Sequence, residues 1–137
     1  MKVESLDHIH IYSSEPESSA AFYCRHFEAA EVTRNENVYG QERVFLSLGG
    51  QLLVIGPFPP GIEPADPPAP GDGAYRHGFG VAHFGLRVRD VELAARELAA
   101  DGVAILTEPV REDSGLRYAY IAAPDGVVVE LTQYGEG

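Results

Sequence analysis

The chain has 137 residues, enough for one domain with its own core, and its 45% apolar and 23% charged content excludes a disordered chain or a coiled coil. Ten Lys and Arg against 21 Asp and Glu give a net charge of −11, which argues against nucleic acid or an anionic membrane surface as partner. No apolar run reaches the ~20 residues of a membrane helix. The start carries Glu4 and Asp7 without an apolar stretch, so no signal peptide is expected. A single cysteine excludes a disulfide framework and fits the cytoplasm.

Val3 to Tyr12 alternates with period two, Ile9 and Ile11 on one face and His8, His10 and Tyr12 on the other, which predicts a strand. Ser14-Glu15-Pro16-Glu17 reads as a capping box with Pro in the first turn of a helix. Ala20, Tyr23, Cys24 and Phe27 recur there at helical spacing and are expected to face the core. Strands are expected at about 29–36, 42–48 and 51–56, the last two joined by a tight Gly49-Gly50 turn. Residues 57–79 carry seven of the ten prolines, a density that suits neither helix nor central strand and marks a loop.

The opening pattern then returns. Val81 to Val88 reads as a strand, and Asp90 caps a helix striped by Val91, Ala94, Ala95 and Leu98 that Gly102 ends. Strands follow at about 103–110, 116–122 and 127–134, with Pro124-Asp125-Gly126 as the last turn. The chain thus reads strand-helix-strand-strand-strand twice, module one at about 1–58 and module two at about 80–137, within a single domain over 1–137. His8 falls against His83 at an offset of 75, and Gly49-Gly50 against Asp125-Gly126 at 76, so the pattern is an internal duplication.

Three residues stand out in that frame. His8 and His83 hold equivalent places in the two modules, and Glu130 lies within the apolar run Val127-Val128-Val129-Glu130-Leu131. A carboxylate buried there is costly unless it is paired or binds a metal. Two histidines and a carboxylate suit a divalent ion such as Fe, Mn, Ni, Co or Zn and leave positions open. Taken singly, a strand His reads as a satisfied core or surface residue and a strand Glu as a solvated one.

The element order, with Leu6-Asp7-His8-Ile9-His10-Ile11, Ala20-Ala21-Phe22-Tyr23, Val81-Ala82-His83-Phe84-Gly85-Leu86 and Pro124 to Leu131, resembles the vicinal oxygen chelate superfamily, the glyoxalase, bleomycin-resistance and ring-cleaving dioxygenase group. The resemblance implies an α+β fold of two βαβββ modules that form a curved mixed sheet around a central metal cavity, the glyoxalase-like fold. It implies one divalent metal ion held by His8, His83 and Glu130, a small-molecule substrate and a homodimer. Aligning the two turns sets Val54 opposite Glu130, where glyoxalase I and methylmalonyl-CoA epimerase supply a Glu or Gln. Neither Val54 nor its neighbour Leu53 binds metal, and Gln51 reaches that place only through a register slip of three. Three protein ligands are therefore expected.

Strand parity puts His10 on the face of His8, as a candidate general acid or base or as a histidine paired to its surroundings. It puts Arg87 on the face of His83, and Tyr118 with Tyr120. Tyr120 is a candidate catalytic group; Arg87, Tyr118 and Val54 are candidate substrate contacts, and His77 joins them if the Pro-rich loop is a lid. Arg87 reads equally as a rim residue in water. Glu42 beside Arg43 reads as a solvated charge, Cys24 as a structural thiol and His26 as idle. The expectation is a metal-dependent lyase, isomerase, dioxygenase or thiol transferase; the alternative is a bleomycin-resistance-like binding protein, whose cationic ligand the acidic surface would suit.

Overall fold

The structure, a computed structural model, describes residues 1–63 and 79–135. The chain divides into two compact units, Met1–Asp66 and Pro67–Gly137, and each holds one four-stranded sheet with one helix. The doubled βαβββ order expected from the sequence is present.

In the first unit the sheet order is β1-β4-β3-β2, from β1 (His8–Tyr12), β2 (Ala30–Glu36), β3 (Glu42–Leu48) and β4 (Gln51–Gly56). β1 runs parallel to β4, and the other neighbours are antiparallel. Helix α1 (Pro16–Phe27) packs on β3 and β4. The face it covers holds Ile11, Val44, Leu46, Leu53 and Ile55, all buried. The β3–β4 turn is closed by Gly49 and Gly50 at φ +56° and +83°, a pair of left-handed residues whose twist suits a two-residue hairpin.

In this unit local features depart from the sequence reading at three places. β1 begins at His8 rather than Val3, because its ladder partner β4 begins at the tight turn; Gln51 instead donates its side-chain amide to the Leu6 and Asp7 carbonyls, at 3.3 and 3.1 Å. The capping box of Ser14 and Glu17 does not cap α1. The N-cap position is Glu15, its N–H is taken by Ser13 Oγ at 3.1 Å, and Glu17 pairs with Arg34. The buried stripe of α1 is Ser19, Ala20 and Tyr23, with Cys24 only partly covered.

In the second unit the order is β5-β8-β7-β6, from β5 (Phe84–Arg87), β6 (Ile105–Arg111), β7 (Arg117–Ala122) and β8 (Val128–Gln133). β5 starts three residues later than expected, which leaves His83 just before the strand. Helix α2 (Val91–Ala100) packs on β6, β7 and β8 through Val91, Ala95 and Leu98. Asp90 caps it as expected, its carboxylate accepting from Leu93 N–H at 3.0 Å. Gly102 ends it at φ +87°. The buried face beneath α2 holds Ala119, Ile121, Val129 and Leu131, so Tyr118, Tyr120, Glu130 and Thr132 fall on the opposite, open face.

Candidate metal centre and the open sheet faces

Pairing registers place the candidate residues by geometry. In the second unit Gly85 pairs with Glu130, and Glu130 with Tyr120. His83 lies two residues before Gly85 and meets Glu130 diagonally, Nε2 to Oε2 at 2.9 Å. Both side chains are largely covered, 24% and 17% exposed. The His83 ring stands edge-on to Tyr120 at 5.0 Å, and Tyr120 to Tyr118 at 5.7 Å.

The donor set suits a divalent ion. Two donors bound to one ion at about 2.1 Å and near right angles lie about 3.0 Å apart, close to the His83–Glu130 spacing. The same spacing serves a charge-assisted hydrogen bond, in which the Nε2 proton sits where an ion would.

In the first unit, His8 pairs with Leu52, His10 with Val54 and Tyr12 with Gly56. The His8 imidazole is tethered at Nδ1 by Asp7 Oδ2 at 2.8 Å. An ionised carboxylate only accepts, so Nδ1 carries the proton, and in the neutral ring Nε2 then presents its lone pair, the arrangement found behind many metal-ligating histidines. Asp7 was not among the residues singled out from the sequence, though its place directly before His8 was the available signal. Neither unit by itself gathers three His, Cys, Asp or Glu side chains at ligand spacing among the described residues.

The register also settles what stands opposite Glu130. His10 pairs with Val54 in the first sheet as Gly85 pairs with Glu130 in the second, and 85 − 10 repeats the offset of 75. Val54, 3% exposed, therefore holds the position of Glu130, and no metal-binding group stands there. Gln51 has its amide on the two backbone carbonyls and pairs across the turn with Leu48.

His10 shares the open face with His8. Its pKa is pushed below the ordinary imidazole value, first by burial, then by the Arg43 guanidinium and by His8. It is therefore neutral near pH 7 and able to accept a proton. Arg87 lies over the Tyr134 ring at 4.4 Å, and the two line a shallow cavity of about 330 Å³ with Val88, Arg89 and Gln133. Tyr12 and Phe58 stack at 4.5 Å in the corresponding place of the first unit. His77 lies outside the described residues. Glu42 belongs to a surface cluster in which Arg34 holds Glu17, Glu31 and Glu42, so its reading as an exposed charge agrees with the structure.

The Glyoxalase/Bleomycin resistance protein/Dioxygenase superfamily model matches residues 5–131. The chain belongs to that superfamily. An uncharacterized protein of Bacillus subtilis (strain 168), YwkD, is 30% identical over 136 residues, covering 96% of this chain and 98% of that one. Among solved structures, a glyoxalase family protein from Enterococcus faecalis superposes with a TM-score of 0.74 at 22% identity, over 94% of this chain and 97% of that one. The fosfomycin resistance protein FosX of Listeria monocytogenes, complexed with Mn(II) and a sulfate ion, superposes at 0.67 and 17% identity, over 98% and 95% of the two chains. These likenesses show that the two mixed sheets and two helices form the glyoxalase-like fold. Among the described residues no helix is long and apolar enough to cross a membrane.

Proposed function

We propose that this superfamily member is a divalent-metal-dependent enzyme acting on a small substrate that offers oxygen atoms to the ion, with His8, His83 and Glu130 as the protein ligands. The observation that carries the reading is the His83–Glu130 pair, a nitrogen and an oxygen donor 2.9 Å apart on a sheet face otherwise bordered by tyrosines. When bound, the ion supplies Lewis acidity to substrate oxygens. The chain's own residues do the remainder. Asp7 holds His8 in the tautomer that leaves Nε2 free. Tyr120 fixes the plane of the His83 ring and presents its hydroxyl to a developing oxyanion. His10, neutral through burial and the Arg43 charge, takes or returns a proton at an imidazole nitrogen. Arg87 and Tyr118 contact the substrate.

The test is elemental analysis of protein purified without added metal or chelator, beside His83→Ala. About one ion per chain, lost in the variant, is expected; full occupancy in the variant overturns the ligand assignment. Because FosX was solved with Mn(II), that ion is the first to add back. Bound iron directs the assay to ring cleavage, Mn to thiol transfer or isomerisation, and Ni, Co or Zn to lyase or isomerase chemistry. His10→Ala is expected to keep the ion and lose turnover. Protein that takes up no metal even when soaked moves the reading to ligand sequestration. The same resemblance makes a homodimer the expected assembly, which sedimentation equilibrium tests.

A further inference from the structure

In the reading above Arg43 acts only through its charge on His10, and its surroundings are unusual for a cation in a chain of net charge −11. The open face of the first sheet is built in cross-strand rows. One row is His8, Leu52 and Ser47; the next is His10, Val54, Phe45 and Thr33; the third is Tyr12, Gly56, Arg43 and Asn35. Successive rows are about 7 Å apart along the strands.

Arg43 is half-buried in the third row, and among the described residues its one hydrogen bond is from Nε, donating to Asn35 Oδ1 at 2.9 Å. Its guanidinium lies 5.5 Å from the Phe45 ring centre, so the charge leans over the second row. Glu42, its neighbour in sequence, points to the other face and is taken by Arg34. Among the described residues no carboxylate pairs with Arg43, and its two terminal nitrogens form an unused fork.

Buried Gly56 lets the Arg43 stem and the His10 ring lie close over β4. A Cβ there would meet Arg43 Cγ at 3.2 Å and His10 Nε2 at 3.6 Å. Flat rings continue from there: His10 against Tyr12 at 5.3 Å, and Tyr12 stacked on Phe58. A guanidinium fork matches two oxygens of one anionic group, and ring faces match an unsaturated body.

We propose that Arg43 anchors the substrate of the reaction proposed above through an oxyanion, a carboxylate or phosphonate, attached to an aromatic or unsaturated body that lies against His10 and Tyr12. Asn35 positions the guanidinium, and Gly56 lets the Arg43 stem lie across β4 beside His10.

The experiment is calorimetric titration of the whole protein, with and without Mn(II), using phenylphosphonate, benzoate and neutral benzyl alcohol as probes. Metal content is measured on the same samples. At least one of the two anions binds and benzyl alcohol does not; the tighter anion names the class. Arg43→Gln weakens the anion by about tenfold or more, while Arg43→Lys, which keeps the charge without the fork, loses less. Arg25→Gln, the same charge loss on the exposed side of α1, has no effect. Gly56→Ala weakens the anion with the charge intact. Equal affinity in wild type and Arg43→Gln, equal loss in Arg25→Gln, or no binding of either anion overturns the proposal. Arg43-dependent binding in protein that takes up no metal sustains the anion site and removes the metal reading, and the reverse result removes only the anion site.

Discussion

The internal symmetry predicts the outcome of Val54→Glu. Glu130 meets His83 because it pairs with the residue two beyond that histidine, and Val54 stands in the same diagonal relation to His8. A glutamate at 54 is therefore expected to bring a carboxylate to His8 Nε2 and add a ligand to the proposed centre. Without metal the substitution costs stability. Val54 is 3% exposed, so losing its burial removes about 1.5–2 kcal/mol, and an incompletely paired carboxylate costs about 1–3 more. The sum, roughly 3–5 kcal/mol, corresponds to a fall in melting temperature of about 10–20 °C for a chain this size. Mn(II) then recovers part of it. A tenfold gain in affinity from the added ligand is worth about 1.4 kcal/mol at saturating metal, beyond whatever wild type gains. The assay is thermal unfolding across a Mn(II) series for wild type, Val54→Glu and Leu53→Glu. Leu53 is 2% exposed and faces the helix, so its glutamate is expected to destabilise without recovery. If Mn(II) stabilises Val54→Glu no more than wild type, or rescues Leu53→Glu equally, the equivalence of positions 54 and 130 as ligand sites fails.

Two further outcomes follow from local interactions. Asp90→Ala removes the cap of α2 and is expected to cost about 1 kcal/mol in denaturant unfolding, with Asp90→Ser recovering most of it. Glu17 is held below its ordinary pKa chiefly by the Arg34 hydrogen bond, so its NMR titration lies below that of a free glutamate and moves up in Arg34→Gln. A depressed carboxylate pKa stabilises the fold above the unfolded value and loses that contribution as pH falls through the folded one. Because the pair is exposed, salt is expected to shrink the effect in acid unfolding curves.

Much of the fold was legible because each signal was local. The Gly49-Gly50 hairpin, the Asp90 cap, the Gly102 stop and the alternation in β3 and β4 depend on residues within a few positions of one another. The α1 cap was misread because the motif of Ser14 and Glu17 is equally local, but Glu17 found a stronger partner in Arg34, a residue of β2. β1 was drawn too long because alternation continues through Val3 to Asp7 after its ladder partner has ended.

The candidate site divides in the same way. The alignment of the two turns set Val54 opposite Glu130 because strands hold register from a turn, and the pairing shows that placement. The anion-binding role proposed for Arg43 was not legible in the sequence. There Arg43 stands beside Glu42 and reads as half of a solvated pair. In the sheet, adjacent residues point to opposite faces, and Glu42 is taken by Arg34 eight residues earlier, so among the described residues the guanidinium next to it has no counter-charge. The charge balance of a strand face depends on its neighbours' registers, and here β2, β3 and α1 together decide it.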